Sequence, residues 1–173
     1  EDVLGSDPIG PTLGDLPVVS DLIETLVGGG DDGTLGGALD DLPAVERLVA
    51  QGTADGLLRP RTRVEVARLA VGGLGARLVG SGHLAGIVSL DAGTYRDQGL
   101  GEVACLYTVS RFSGAGAGAL LIDGLVRQAT TVGLDAVFAV TVSDAAGAFF
   151  ERKGFVEVSH DEIPPAKWAG YDP

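Results

Sequence analysis

Methionine is absent from the 173 residues, lysine occurs only at positions 153 and 167, and there is one cysteine, one tryptophan and two histidines. A single thiol, Cys105, excludes an internal disulfide and any cysteine-based metal site. His83 and His160 lie far apart with no ligand spacing, so no metal is expected. No apolar run approaches the roughly 18 residues a membrane-spanning helix needs. The chain also does not open on a basic and then apolar signal pattern, so a reducing, cytoplasmic setting is the simplest expectation. Basic residues number 12 against 24 acidic ones, for a net charge of −12. Nucleic-acid binding needs a basic stripe that displaces counterions from phosphate, and none is visible; neither nucleic acid nor membrane is an expected partner.

What the chain does have is glycine, 28 residues of it, in an otherwise ordinary globular mixture with 45% hydrophobic and 21% charged residues. A start at Glu1 with no methionine is expected of a chain that is processed, trimmed, or the end of a longer protein. Pro8, Pro11, Pro17 and the run Gly28-Gly-Gly-Asp-Asp-Gly33 make residues 1–33 read as a linker-like leader or the tail of an upstream domain, with one short helix from Pro17 to Val27. The ordered domain is expected over 34–173.

Within it Asp41 caps a helix carrying Pro43 in its first turn and Leu42, Val45, Leu48 and Val49 at helical spacing. A second helix is predicted from Thr62 to Val71. Strands follow at Ala76–Val79, His83–Leu90 and Gly101–Thr108, the last after a polar loop with Tyr95, Arg96 and Asp97. The helix Ala119–Val132 has Leu121, Ile122, Leu125, Val126 and Ala129 on one side and stops at Gly133. The continuous apolar run Ala136–Val142 reads as a strand buried on both faces. A helix capped by Ser143 or Asp144 then runs to Gly154, and Phe155-Val-Glu-Val alternates as a last strand. This order is that of an α/β domain with a mixed sheet.

The segment with chemical content is Arg111-Phe-Ser-Gly114-Ala-Gly116-Ala-Gly118 between a strand and a helix. Glycines spaced by one residue let backbone approach a phosphate, and the helix N-terminus directs unpaired N–H groups at it. A P-loop would close on Gly-Lys-Ser/Thr, where this chain has Gly-Ala-Leu. A Rossmann fingerprint wants an acidic residue at the end of the next strand, whereas Asp135 precedes one.

Arg111-x-x-Gly114-x-Gly116, a long helix, a buried strand and Ala148-Phe-Phe-Glu-Arg-Lys-Gly154-Phe155 resemble the GNAT acetyltransferases. Asp40-Asp-Leu-Pro-Ala-Val, Gly56-Leu-Leu-Arg-Pro-Arg61, Gly101-Glu-Val-Ala-Cys-Leu-Tyr107 and Ile163-Pro-Pro-Ala-Lys-Trp168 are most similar to the acetyltransferase domain of N-acetylglutamate synthases. The resemblance implies an α/β (α+β in some schemes) fold with a mixed, mostly antiparallel central sheet and helices on both faces. It implies transfer of acetyl from acetyl-CoA to the α-amine of L-glutamate in arginine biosynthesis. It also implies a homodimer, or fusion to an upstream amino-acid-kinase-like domain. A GNAT enzyme for another small amine, or a non-catalytic acyl-CoA sensor, are the alternatives.

By the same resemblance, coenzyme A is held by Ser113, Gly114, Ala115, Gly116, Ala117, Gly118 and Ala119, by Tyr107, Thr108 and Val109 at the preceding strand end, and by Phe150. The signature can be placed over Arg111–Gly116 or over Ser113–Gly118, the second with serine at the usual basic position. Acetyl transfer needs a deprotonated amine, a polarised carbonyl and a protonated leaving thiolate. Glu102 is the candidate base, through water. Many GNAT enzymes carry a tyrosine acid where this chain has Phe150, so Tyr107 is a candidate acid, with proximity alone as the other route. Cys105 is a candidate acetyl-carrying nucleophile, with core packing as its other reading. Planar arginines suit the carboxylates of glutamate, which makes Arg61 the first choice for the substrate, with Arg59, Arg111 and Lys167 beside it.

Overall fold

A computed structural model describes residues 42–78, 82–110 and 116–169. The expected helix Pro17–Val27 and the leader 1–33 lie outside the described residues. The chain divides into two compact units. Among the described residues, one comprises Asp91–Glu102 and 129–169; the other comprises those from Leu42 to Leu90 together with those within Val103–Gln128.

In the second of these units, α1 (Leu42–Ala54) and α2 (Arg63–Gly72) come first. Thr62 caps α2 by accepting from the N–H of Glu65 while the Glu65 carboxylate accepts from the N–H of Thr62, a reciprocal box of the kind worth about 1 kcal/mol. Val45, Leu48 and Val49 of α1 and Val66, Leu69 and Ala70 of α2 bury their apolar stripes. They do so against Leu84 and Ile87 of β2 (Leu84–Asp91) and Cys105 and Tyr107 of β3 (Leu100–Thr108). β1 (Leu74–Arg77) pairs antiparallel with β2, Leu74 opposite Val88 and Gly75 opposite Ile87. The N–H of Val109 donates to Ala85 O at 2.9 Å, so the far end of β3 faces the start of β2 and those two strands also run in opposite directions. α3 (Ala117–Thr131) buries Leu121, Ile122, Leu125, Val126 and Ala129, the side that its spacing predicts.

In the other unit, the start of β3 pairs in parallel with β4 (Ala136–Phe138), Leu100 to Ala136 through Glu102 to Phe138. The sheet order is therefore β1-β2-β3-β4, mixed in direction. Gly99 and Asp135 lock this register, the N–H of Asp135 donating to Gly99 O at 2.7 Å. Gly99 sits at φ 71°, which glycine adopts at no steric cost, and a Cβ there would displace the Asp135 carboxylate. Tyr95, Leu100, Ala136, Phe138, Val158 and Ile163 form the core of this unit, with the rings of Tyr95 and Phe138 edge-to-face at 5.1 Å. α4 (Asp144–Arg152) is capped by Ser143.

Two expectations are corrected. The strand predicted over Ala136–Val142 ends at Phe138, and Val142 is fully exposed, because the ladder with β3 stops there. The predicted last strand at Phe155–Val158 does not form a strand among the described residues; Phe155 and Val158 are buried while Val156 and Glu157 face solvent.

Candidate active site

Burial alternates along the outer half of β3, with Cys105 and Tyr107 inside and Leu106 and Thr108 partly exposed. Cys105 is 3% exposed within the α1–α2 core. Burial pushes its thiol up, and the nearby charges of Arg61 and Arg59 pull the other way without reversing the shift. A thiol held protonated in a core is suited to packing rather than attack. Tyr107 is equally buried, and its hydroxyl donates to Asp55 Oδ2 at 2.8 Å. Burial, followed by the hydrogen bond and the charge of Asp55, pushes the phenol up to about 12. A proton held that firmly, and already hydrogen-bonded to a carboxylate, is a poor match for a thiolate leaving group.

Arg61 reaches the same strand from the loop between α1 and α2. Its Nη2 donates to the backbone oxygen of Ala104 at 2.6 Å, while its Nε is buried with no hydrogen-bond partner among the described residues. A buried, charged donor without an acceptor among the described residues is unusual, and an acceptor such as a water or a bound anion would satisfy it. Arg59 differs: exposed, it pairs with Glu65 at 2.6 Å. Thr62 and Arg59 together hold the Glu65 carboxyl down at about 2.

In the other unit, the Glu102 side chain is 12% exposed and its Oε1 accepts from Lys167 Nζ, itself 15% exposed. The two residues expected as base and as substrate ligand thus bind each other. Asp91, at the end of β2, lies in the field of the same lysine. Burial acts to raise its carboxyl, but bonds from Thr94 Oγ1 at 2.6 Å and from the N–H groups of Thr94 and Gly93, with the Lys167 charge, hold it below 3.8. Phe150 is half-buried, edge-to-face with Phe149 at 5.4 Å and Phe155 at 5.1 Å.

Of the glycine loop, Arg111, Ser113, Gly114 and Ala115 lie outside the described residues. Gly116 has φ 89°, a left-handed turn into α3 that glycine adopts at no steric cost. Among the described residues the first helical bond runs from Leu120 N–H to Gly116 O at 3.0 Å. The N–H groups of Ala117, Gly118 and Ala119 therefore precede the helix's own hydrogen bonding and have the disposition that binds anions. Thr108 and Val109 are half-buried at the end of β3.

Sequence reasoning missed Asp55 and Asp91. Nothing in the local pattern marks Asp55, whose partner lies 52 residues away. Asp91-x-Gly-Thr94, in contrast, is a readable Asx-turn signature.

Residues 77–164 match the acetyltransferase (GNAT) domain family. The chain belongs to that family. The amino-acid acetyltransferase of Ralstonia nicotianae is 30% identical over 130 residues, covering 73% of this chain and 27% of that protein. The N-acetylglutamate synthase of Neisseria gonorrhoeae, solved with coenzyme A and N-acetyl-glutamate, superposes with a TM-score of 0.68 at 24% identity, over 79% of this chain and 31% of that one. Rv2747 of Mycobacterium tuberculosis, solved in complex with CoA, gives 0.60 at 25% identity, over 77% of this chain and 79% of that one. This GNAT chain thus spans less than a third of the length of the first two. Among its described residues, no group of three or more His, Cys, Asp or Glu could hold a metal ion, and no helix is long and apolar enough to cross a membrane.

Proposed function

We propose that this GNAT domain, taken as residues 34–173, moves acetyl from acetyl-CoA to the α-amine of L-glutamate, as in arginine biosynthesis, in the cytoplasm. The observation that carries the substrate is the buried, unpartnered Nε of Arg61 beside its bond to Ala104 O. A carboxylate oxygen would complete that site, since guanidinium and carboxylate match in plane and charge. The names of the relatives, amino-acid acetyltransferase and N-acetylglutamate synthase, support the same class of acceptor.

In this reading the N–H groups of Ala117, Gly118 and Ala119, with the loop from Ser113, take the pyrophosphate of coenzyme A. The unprotonated amine attacks the thioester carbonyl carbon, the C–S bond breaks, the thiolate leaves, and the nitrogen gives its second proton to water. Glu102 accepts the proton of the substrate ammonium through water. No tyrosine stands at Phe150, and the Tyr107 proton is committed to Asp55, so the thiolate departs by positioning and takes its proton from solvent.

The test is steady-state release of free thiol from acetyl-CoA with a panel of amino acids and polyamines. Glutamate should be the best acceptor. Turnover with polyamines but not glutamate would replace the acceptor. Phe150 favours one other reading, a non-catalytic acyl-CoA sensor; binding of coenzyme A with no turnover of any amine would establish it.

A further inference from the structure

The ion pair between Lys167 and Glu102 joins positions 65 apart in sequence, and both side chains are withdrawn from solvent. Lys167 takes Oε1 of Glu102. Among the described residues Oε2 has no hydrogen-bond partner, and the Glu102 side chain keeps 12% of its surface exposed. One carboxylate oxygen is fixed by the lysine, and the other has no partner among the described residues.

The lysine is itself held by a stiff turn. Pro164 and Pro165 pre-set the backbone, and the N–H of Lys167 donates to Pro164 O at 2.8 Å. Ser159 and Glu162 close a capping box upstream, with bonds of 2.8 and 2.9 Å to Glu162 Oε2. Ile163 is 2% exposed, and Trp168 packs on the core of its unit. The rings of His160 and Trp168 stack at 3.9 Å and 17°, joining the two ends of the segment.

We infer that Lys167 is a positioning residue for the base, clasped by residues 159–168 so that Glu102 presents one oxygen to the reacting proton, and that it is not a ligand for the substrate's carboxylates. This rests on the acetyl-transfer reading and on Glu102 as its base.

The test compares Lys167→Met, Lys167→Arg, His160→Ala and Glu102→Gln by steady-state kinetics, with coenzyme A binding by calorimetry as the check on folding. Lys167→Met should lower kcat about 10- to 100-fold while the KM for glutamate moves less than about threefold, the pattern of a lost positioning contact. Lys167→Arg should return kcat to within about fivefold of wild type, and His160→Ala should lose about two- to fivefold. Glu102→Gln/Lys167→Met should be no slower than Glu102→Gln alone, since residues acting as a unit are not additive. A KM for glutamate raised about tenfold or more at unchanged kcat would make Lys167 a substrate ligand and overturn the inference, as would additive losses. If Lys167→Met does not fold, Lys167→Arg and His160→Ala decide by the same split. Failure of the underlying reading looks different: wild-type turnover is absent, or Glu102→Gln leaves it untouched.

Discussion

The Tyr107 hydroxyl donates to Asp55 Oδ2 at 2.8 Å, tying the centre of the core to the end of α1 across 52 residues. Tyr107→Phe should therefore keep kcat within about threefold and lose about 1 kcal/mol, or about 2–4 °C in Tm. Because the folded phenol is raised to about 12 from 10, its stabilisation is present below the unfolded value and lost as pH rises through the folded one. Wild type should thus lose stability between about pH 10 and 12 by a route that the variant lacks. A fall in kcat beyond about a hundredfold would instead make Tyr107 a proton donor.

Arg61→Ala should raise the KM for glutamate about 10- to 100-fold, as for a lost charged hydrogen bond, and leave the KM for acetyl-CoA within about threefold. Arg61→Lys should not rescue it, since an ammonium cannot bond Ala104 O and a carboxylate in one plane. Equal losses for both substrates would remove Arg61 from the amino-acid site.

Gly116→Val and Gly118→Val should raise the KM for acetyl-CoA, because a branched side chain would crowd the N–H groups at the start of α3. At Gly116 the φ of 89° adds backbone strain of about 1–2 kcal/mol, so the KM for glutamate serves as the internal control. An acetyl-CoA KM unchanged in both variants would contradict the loop assignment. Gly147→Ala in α4, where a Cβ meets nothing within 4 Å, should be stabilising by about 0.5–1 kcal/mol in thermal melts.

The Asp91 carboxyl is depressed in the folded state, so its contribution is present above the unfolded value of 3.8 and lost as pH falls through the folded one. Asp91→Asn should melt lower than wild type at pH 7, and the gap should close in acid below about pH 4. A gap that persists unchanged into strong acid would mean the side chain acts by packing alone.

Local patterns announced the helices well. Thr62 with Glu65 three residues on marks the start of α2, and the apolar positions of α3 are the buried ones. The strands were harder wherever pairing departs from hydrophobicity. The run Ala136–Val142 is apolar throughout, yet only the residues that face Leu100–Glu102 form a strand, because a ladder needs a partner and composition reports only burial. Tyr95 sits in a stretch that reads as a polar loop, but its ring closes on Phe138 in the core.

Composition, glycine spacing and the family resemblance were enough to specify the fold class and to name the charged residues that could serve chemistry. Those are properties of neighbouring residues, governed by backbone sterics and side-chain periodicity. Which charge meets which was beyond them: Lys167 on Glu102, Asp55 on Tyr107, and the Nε of Arg61 left without an acceptor. Such pairings join positions 50 or more residues apart, or depend on what burial withholds from water, and electrostatic energy follows distance in space rather than order along the chain.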